Sequence, residues 1–331
     1  MNEPFNWGIL GLGKIARKFA EDLRLIPGAR LHAVASRSKK RAKAFAKEFE
    51  ASFYYGSYEE LVRTPELHAV YIATEHPYHC ENTLLCLEHK LPVLCEKPFA
   101  MNRYEVRRMV ETARREQTLL MEALWTRFLP SFRKTLKLIK KGAIGEVISV
   151  KADFGFKAPV DPERRLYNHA LGGGALLDIG IYPVFLALLV LGKPRQMKAL
   201  ARIGPTGVDE EIGITFRYGS GKMAHLHASF LATTRCEAYI YGTEGSITIH
   251  PRWHHSEAVT LERYDHPEPK EYSLPLEGIG YRYEAEHFME CLERDWIDSP
   301  LMPHSFSLQL MEVLDAIREE AGVRYLQDEV G

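Results

Sequence analysis

Three short stretches of this chain carry groups that chemistry can use. The first is Trp7-Gly8-Ile9-Leu10-Gly11-Leu12-Gly13-Lys14-Ile15-Ala16, with the pattern Gly-x-Gly-x-x-Ala at Gly11, Gly13 and Ala16. An aliphatic run precedes it and an apolar stripe at helical spacing follows, so the glycines fall at a strand-to-helix turn. Gly11 permits a tight turn, Gly13 lets backbone N–H groups approach a pyrophosphate, and Ala16 lets helix and strand pack closely. The anion then meets the positive end of the helix dipole. A glycine-rich turn without a ligand is the competing reading. The second stretch is Cys95-Glu96-Lys97-Pro98, at the end of an aliphatic run. A parallel strand delivers such residues to the carboxyl edge of its sheet, where ligands bind. A lysine there can serve as acid, base or electrostatic clamp; taken alone, a surface lysine in a proline turn is the better reading. The third is Leu171-Gly172-Gly173-Gly174-Ala175-Leu176-Leu177-Asp178-Ile179-Gly180-Ile181-Tyr182-Pro183. Asp178 and Tyr182 share one helical face. An acid and a phenol on so apolar a helix are costly to bury without partners. Alone, they read equally well as a hydrogen-bonded structural pair.

The end of the second predicted strand bears on which dinucleotide would bind. Leu31–Ala35 runs into Ser36-Arg37-Ser38-Lys39-Lys40-Arg41 without an acid. NAD-selective sites usually place Asp or Glu there, about 20 residues past the glycines, on the ribose hydroxyl. A hydroxyl followed by Arg suits a 2′-phosphate, because guanidinium forks onto phosphate oxygens. Lys39 and Lys40 read as the solvated start of a helix, whereas Arg37 sits where the ribose belongs. His76, His79 and Cys80 have the side chains of metal ligands but lack a second half at zinc spacing, so no metal is expected. Neither His225 and His227 nor His254 and His255 make a convincing metal site. No Gly-x-Ser-x-Gly elbow marks a hydrolase.

These stretches need elements to position them. The 331 residues suggest two domains, at about 150 residues each. Before residue 123, aliphatic runs at Asn6–Leu10, Leu31–Ser36, Ala69–Ala73, Pro92–Cys95 and Thr118–Glu122 alternate with helical patterns. One helical stripe is Ile15, Ala16, Phe19, Ala20 and Leu23; another is Ala42, Phe45, Ala46 and Phe49. Tyr58–Arg63, His79–His89 and Tyr104–Glu116 also read as helices. Such alternation predicts a doubly wound α/β domain with a parallel sheet. Beyond it, Phe132–Lys140 and an apolar Gly173–Leu191 read as helices. Period-two runs then dominate: Ile212–Tyr218, Lys222–Phe230, Cys236–Tyr241, Ser246–His250 and Ala258–Arg263. Tyr281–Arg294 and Ser305–Glu320 close the chain as helices. The expected division is a dinucleotide-binding domain over 1–122 and an α+β domain over 123–331 with one large, mostly antiparallel open sheet. Nothing helical between Arg195 and Leu274 can cover that sheet's second face, which predicts a homodimer through it.

Lys and Arg total 43 against 44 Asp and Glu, which gives no overall attraction to nucleic acid or an anionic membrane. The uncharged stretch Ile179–Gly192 is shorter than the roughly 20 residues of a membrane span. The N-terminus lacks the marks of a signal peptide. Five cysteines without a Cys-x-x-Cys pair suit free thiols in a reducing compartment. The expected location is therefore cytoplasmic.

Together these motifs resemble the glucose–fructose oxidoreductase / inositol dehydrogenase (Gfo/Idh/MocA) family over essentially the whole chain. Gly11–Ala16 is similar to its nucleotide loop and Glu96-Lys97-Pro98 to its catalytic motif. Gly172 to Asp178 fits a helix that in many members ends with a His where this chain has Tyr182. The Tyr form, with Met121–Pro130 and Leu176–Pro183, is similar to the branch of dimeric dihydrodiol dehydrogenases and NADP-linked sugar dehydrogenases such as those acting on D-xylose. The resemblance implies a Rossmann domain and NADP, with NAD possible. It implies hydride transfer at a hydroxyl or carbonyl carbon of a sugar, polyol or vicinal diol. It implies cofactor contacts at Gly11, Leu12, Gly13, Lys14, Ile15, Ser36, Arg37, Arg41, Thr74, His76, His79, Glu96 and Lys97. Lys97, Asp178 and Tyr182 become the catalytic residues, meeting at the nicotinamide. Trp125 and Phe154 join Asp178 and Tyr182 on the substrate side. A free phenol titrates near 10, and a nearby ammonium favours the phenolate. Lys97 is therefore assigned to polarising the substrate oxygen and Tyr182 to carrying the proton, with the reverse as a close alternative. Two other outcomes stay open: glycoside cleavage through transient oxidation, and a non-catalytic nucleotide sensor.

Overall fold

The structure, a computed structural model, describes residues 4–330. It divides into two compact units, Met1–Arg127 with Glu277–Leu308, and Phe128–Leu276 with Gln309–Gly331. This differs from the expected split at 122/123, because residues 277–308 return to the first unit. The reason lies at Asp22. Its buried carboxylate accepts hydrogen bonds from the backbone N–H groups of Ile279, Gly280 and Tyr281, each at 2.7 Å. These residues lead into the helix Arg282–Glu293. An acid at a helix start satisfies donors that lack an intrahelical partner and complements the dipole. Phe288 of that helix packs 5.3 Å from the Trp7 ring. No cue in the chain's local pattern announced this return.

The first unit holds a six-stranded sheet: β1 (Phe5–Leu10), β2 (Ala29–Ala35), β3 (Phe53–Tyr55), β4 (Ala69–Ile72), β5 (Val93–Glu96) and β6 (Leu120–Ala123), in the order β3-β2-β1-β4-β5-β6. Every pairing is parallel. Helices cover both faces, so β4, β5 and β6 are short and buried throughout. The predicted stripes face inward: Ala16, Phe19, Ala20 and Leu23 are buried on Lys14–Leu23, and Ala42, Phe45, Ala46 and Phe49 on Lys39–Phe49. The edge strand β3 was not anticipated; its three aromatic residues are half-buried and show no alternation. The strand order reverses between β1 and β4, the switch point at which open α/β sheets bind ligands.

The second unit holds β7 (Val147–Gly155), β8 (Gln196–Ile203), β9 (Asp209–Arg217), β10 (Met223–Ser229), β11 (Ala238–Gly242), β12 (Gly245–Ile249), β13 (Ala258–Arg263) and β14 (Lys270–Ser273). Their order is β14-β13-β12-β11-β7-β10-β9-β8, antiparallel except for the β7–β10 pair. The central strand β7 and the edges β8 and β14 were missed. The first reason is that β7 is separated in sequence from its sheet by the apolar helix. The second is that the edges are largely exposed. The predicted helix Gly173–Leu191 is not one regular helix. A π-helical turn, Leu176–Gly180, precedes the α-helix Ile181–Leu191. His169–Leu191 is long and apolar enough to cross a membrane, but most of it is buried inside the protein. It packs on the inner sheet face, where Val150, Ile212, Phe216, Ala224 and Ile240 are buried. The outer face carries Leu200, 85% exposed, with Met223 and Tyr241 also exposed.

Candidate active site

In the first unit, β1 ends where the glycine turn begins. Gly11 has φ +82°, and a Cβ there would lie 2.7 Å from the Ala73 carbonyl oxygen at the end of β4. Only glycine fits both conditions. Gly13 heads Lys14–Leu23 with no side chain capping it, and nothing lies within 4 Å of where its Cβ would stand. The leading N–H groups of this helix, including those of Lys14 and Ile15, therefore keep their capacity to bind an anion that approaches over open space. Ala16 is fully buried against the sheet. The Leu12 carbonyl accepts from Arg41 Nη2 at 3.1 Å. Leu12, Gly13, Lys14, Arg17 and Arg41 line one small cleft. These residues fit a dinucleotide. Beside them Ser36 is buried and its Oγ accepts from Ser38 N at 3.3 Å. Arg37 is 71% exposed and lies 3.9 Å from the Glu75 carboxylate, with its guanidinium 5.6 Å from the Tyr78 ring centre.

The Glu96-Lys97-Pro98 turn leaves β5 and is held from three sides. Glu96 is buried; its Oε1 accepts from the Tyr71 phenol and its Oε2 from the Lys97 N–H at 3.2 Å. The peptide between Lys97 and Pro98 is cis. His79 faces two carbonyls, Nδ1 at 2.8 Å from Pro98 O and Nε2 at 3.0 Å from Thr74 O. Asn82 Nδ2 donates to Thr74 Oγ1 at 3.2 Å. His76 is buried, its ring centre 5.8 Å from that of His79. Among the described residues no cluster of three or more His, Cys, Asp or Glu is grouped to hold a metal ion.

Two acids behind this turn were not anticipated. Glu122, on β6, accepts from the Phe99 N–H at 3.1 Å. Burial pushes its carboxyl up to about 7, against the pull of the Ser307 hydroxyl and the Phe99 amide. Glu284 is fully buried, and neither of its oxygens has a hydrogen-bond partner among the described residues. Burial, then the charges of Glu96 and Asp22, push its carboxyl well above the ordinary carboxylate range. Trp125 stacks on Tyr281 with ring centres 4.6 Å apart.

In the second unit, Gly173 and Gly174 make room for close neighbours. A Cβ on Gly173 would lie 2.6 Å from Arg165 O, 2.7 Å from Leu166 O and 2.9 Å from Asn168 O. Gly174, at φ +122°, would meet Asp209 Oδ1 at 2.3 Å. Asp209 accepts from the Leu176 N–H at 2.6 Å at the start of the π-helical turn. Burial pushes its carboxyl up to about 7. The Tyr325 phenol donates to the Gly173 carbonyl. Asp178 lies in the π-helical turn, and its Oδ1 accepts from Arg165 Nη1 at 2.8 Å. Tyr182 follows in the α-helix, with Phe154 at 5.6 Å and His254 at 5.4 Å between ring centres. His254 stacks on Phe154 at 4.0 Å. The structure thus brings Phe154, Asp178 and Tyr182 together within one unit, and adds Arg165 and His254. The glycine run was the available signal for Arg165, since it marks a close approach without saying of what. His254 gave none beyond its neighbour His255.

Residues 5–124 match the oxidoreductase family with the NAD-binding Rossmann fold, and residues 132–248 match the GFO/IDH/MocA C-terminal domain. The chain belongs to the Gfo/Idh/MocA family. Two relatives are trans-1,2-dihydrobenzene-1,2-diol dehydrogenases. The Mus musculus protein is 38% identical and the Danio rerio protein 40%, each over 97% of this chain and 98% of its own. A 3-ketoreductase from Actinomadura kijaniata, solved with NADP and TDP-benzene, superimposes with a TM-score of 0.85 at 27% identity, covering 96% of this chain and 98% of its own. An aldose-aldose oxidoreductase from Caulobacter crescentus, at 24% identity, shares the fold with a TM-score of 0.88 over 97% of this chain and 98% of its own. This Gfo/Idh/MocA member is an NAD(P)-dependent dehydrogenase/reductase.

Proposed function

We propose that the protein oxidises one hydroxyl of a vicinal diol, sugar or polyol, or reduces the matching carbonyl, with NADP preferred over NAD. The observation that carries this is the pair of dihydrodiol dehydrogenases at 38% and 40% identity along nearly the whole length. The nicotinamide, when bound, supplies the acceptor or donor of hydride. The chain's own residues supply the rest. The turn Gly11-Leu12-Gly13 and the N–H groups of Lys14 and Ile15 hold the pyrophosphate. Ser36, Arg37 and Arg41 hold the 2′-phosphate, and Thr74, His76, His79 and Glu96 shape the strand ends around it.

Oxidation requires the substrate hydroxyl to lose its proton. Tyr182 takes that proton and returns it in reduction. The Lys97 ammonium polarises the reacting oxygen, and Asp178 accepts from a neighbouring substrate hydroxyl. Trp125 and Phe154 give apolar walls. No finding favours glycoside cleavage or a non-catalytic sensor. The exposed sheet face supports a homodimer through the second unit, and five buried free thiols are in keeping with a cytoplasmic location. The test is steady-state NADPH formation with a panel of trans-diols, D-xylose and other sugars. Turnover of a diol or sugar is expected. A cofactor that binds yet is never reduced by any of them would refute the reading.

A further inference from the structure

Arg165 lies outside all three motifs, yet the structure brings it to one of them. We propose that Arg165 is a positioning residue for the reaction, acting through Asp178; this rests on the substrate-side role given to Asp178 above. The loop that carries it is fastened on both sides. Gly173 N donates to Asn168 O at 2.9 Å and Gly174 N to Leu166 O at 3.0 Å. The missing side chain of Gly173 leaves space for the Arg165 carbonyl itself. Tyr167 is buried, donates to Ala158 O at 3.3 Å and packs 5.9 Å from the Phe230 ring. The Arg165 backbone is thereby fixed against the start of the catalytic helix.

From that anchor the guanidinium reaches Asp178 Oδ1 at 2.8 Å, where the aspartate side chain is only 9% exposed. A carboxylate so buried needs a counter-charge to stay ionised. Ionised, it accepts a stronger hydrogen bond from a neutral substrate hydroxyl than the protonated acid would. Arg meets this need at every working pH, because it does not lose its proton. The ion pair also fixes the aspartate rotamer on a π-helical turn, a backbone frequently found at functional sites. The neighbouring Arg164 does not duplicate the role: it pairs with Asp161 at 2.9 Å and is 80% exposed.

The experiment compares Arg165→Met, Arg165→Lys, Asp178→Asn and the double variant Arg165→Met/Asp178→Asn, with Arg164→Met as control. The substrates are trans-1,2-dihydrobenzene-1,2-diol and D-xylose. Arg165→Met should lower kcat/KM about ten- to a hundredfold, the scale of one charge-assisted hydrogen bond. Added guanidinium and Arg165→Lys should each restore part of it, which a role in folding alone would not allow. NADP affinity, read by protein fluorescence, should stay within a few-fold and shows the variant folded. In the Asp178→Asn background the same substitution should cost less than about threefold, because the two act as one unit. Arg164→Met should change nothing. If Asp178→Asn is impaired while Arg165→Met is normal, or if the two losses multiply, Arg165 does not act through Asp178. If Asp178→Asn is itself normal, or wild type turns over neither substrate, the reading of Asp178 falls and this inference with it.

Discussion

Glu122→Gln should stabilise the protein, and more strongly at pH 8 than at pH 5. Glu122 is buried behind the Lys97 turn, and its Oε1 accepts from the Phe99 N–H at 3.1 Å. Its carboxyl is raised from an ordinary 4.5 to about 7, first of all by burial. A raised carboxyl favours the protonated form in the folded state. Between those two values the folded protein binds more protons than the unfolded chain, so stability falls as pH rises. The loss begins near the unfolded value and is complete above the folded one. It amounts to roughly 1 kcal/mol at pH 5 and roughly 3 kcal/mol at pH 8. Gln keeps the carbonyl oxygen that Phe99 needs and never ionises. Its advantage over Glu should therefore grow by roughly 2 kcal/mol across that interval. Denaturant unfolding of both proteins at several pH values measures it, because the difference cancels groups common to both. A difference that stays flat from pH 5 to 8, or one that favours Glu more as pH rises, would refute the claim that burial raises the Glu122 carboxyl.

Three further outcomes follow from the proposed function. Tyr182→Phe and Lys97→Met should each lower kcat by about 10²–10⁴, the range for a general acid–base group, with NADP affinity within a few-fold and the double variant little worse than either. A Tyr182→Phe enzyme with normal kcat would remove the phenol from proton transfer. Arg37→Ala should erase most of a roughly ten- to hundredfold preference for NADP over NAD; unchanged discrimination would leave Arg37 as surface charge. Light scattering should give at least a dimer at micromolar concentration, and Leu200→Glu on the outer sheet face should shift it toward monomer. A monomeric wild type would sink the homodimer.

The sequence was most legible where local chemistry and periodicity agree. Gly11 could be read because a strand-to-helix turn of this kind admits only glycine, and the Ala73 carbonyl shows why. The parallel sheet could be read because each buried strand is a short apolar run between amphipathic helices. Legibility failed wherever the deciding partner is distant in the chain. Asp22 gathers the backbone of Ile279–Tyr281, and β7 finds its partners β10 and β11 only after the apolar helix has intervened. The run Gly172–Gly174 was read only as part of the helix motif; the structure shows that Gly173 and Gly174 face the carbonyls of Arg165, Leu166 and Asn168 and the Asp209 carboxyl. Asp178 and Tyr182 were placed on one regular helix, and the π-helical turn between Leu176 and Gly180 alters that geometry. Nothing in the periodicity of so uniformly apolar a segment marks where such a turn falls.

The Lys97 and Asp178 motifs each rest on a buried acid that accepts from a backbone N–H: Glu122 from Phe99 just past Lys97, and Asp209 from Leu176 just before Asp178. A buried amide must find an acceptor. A neutral acceptor would serve that need without the cost of ionisation, which burial sets high enough to hold both carboxyls near 7. What a carboxyl adds is a stronger, shorter bond once it ionises, and the 2.6 Å contact to Leu176 has that character. The motif backbones are thus held most tightly in the pH range where their supports are least content to be buried. Each unit should lose global stability from pH 5 to 8 while its motif becomes better ordered. Hydrogen exchange at the Phe99 and Leu176 amides separates the two effects. Their protection against local opening should rise with pH, after correction for intrinsic exchange, even as the unfolding midpoint falls. Parallel loss of both would show that the acids serve only as acceptors.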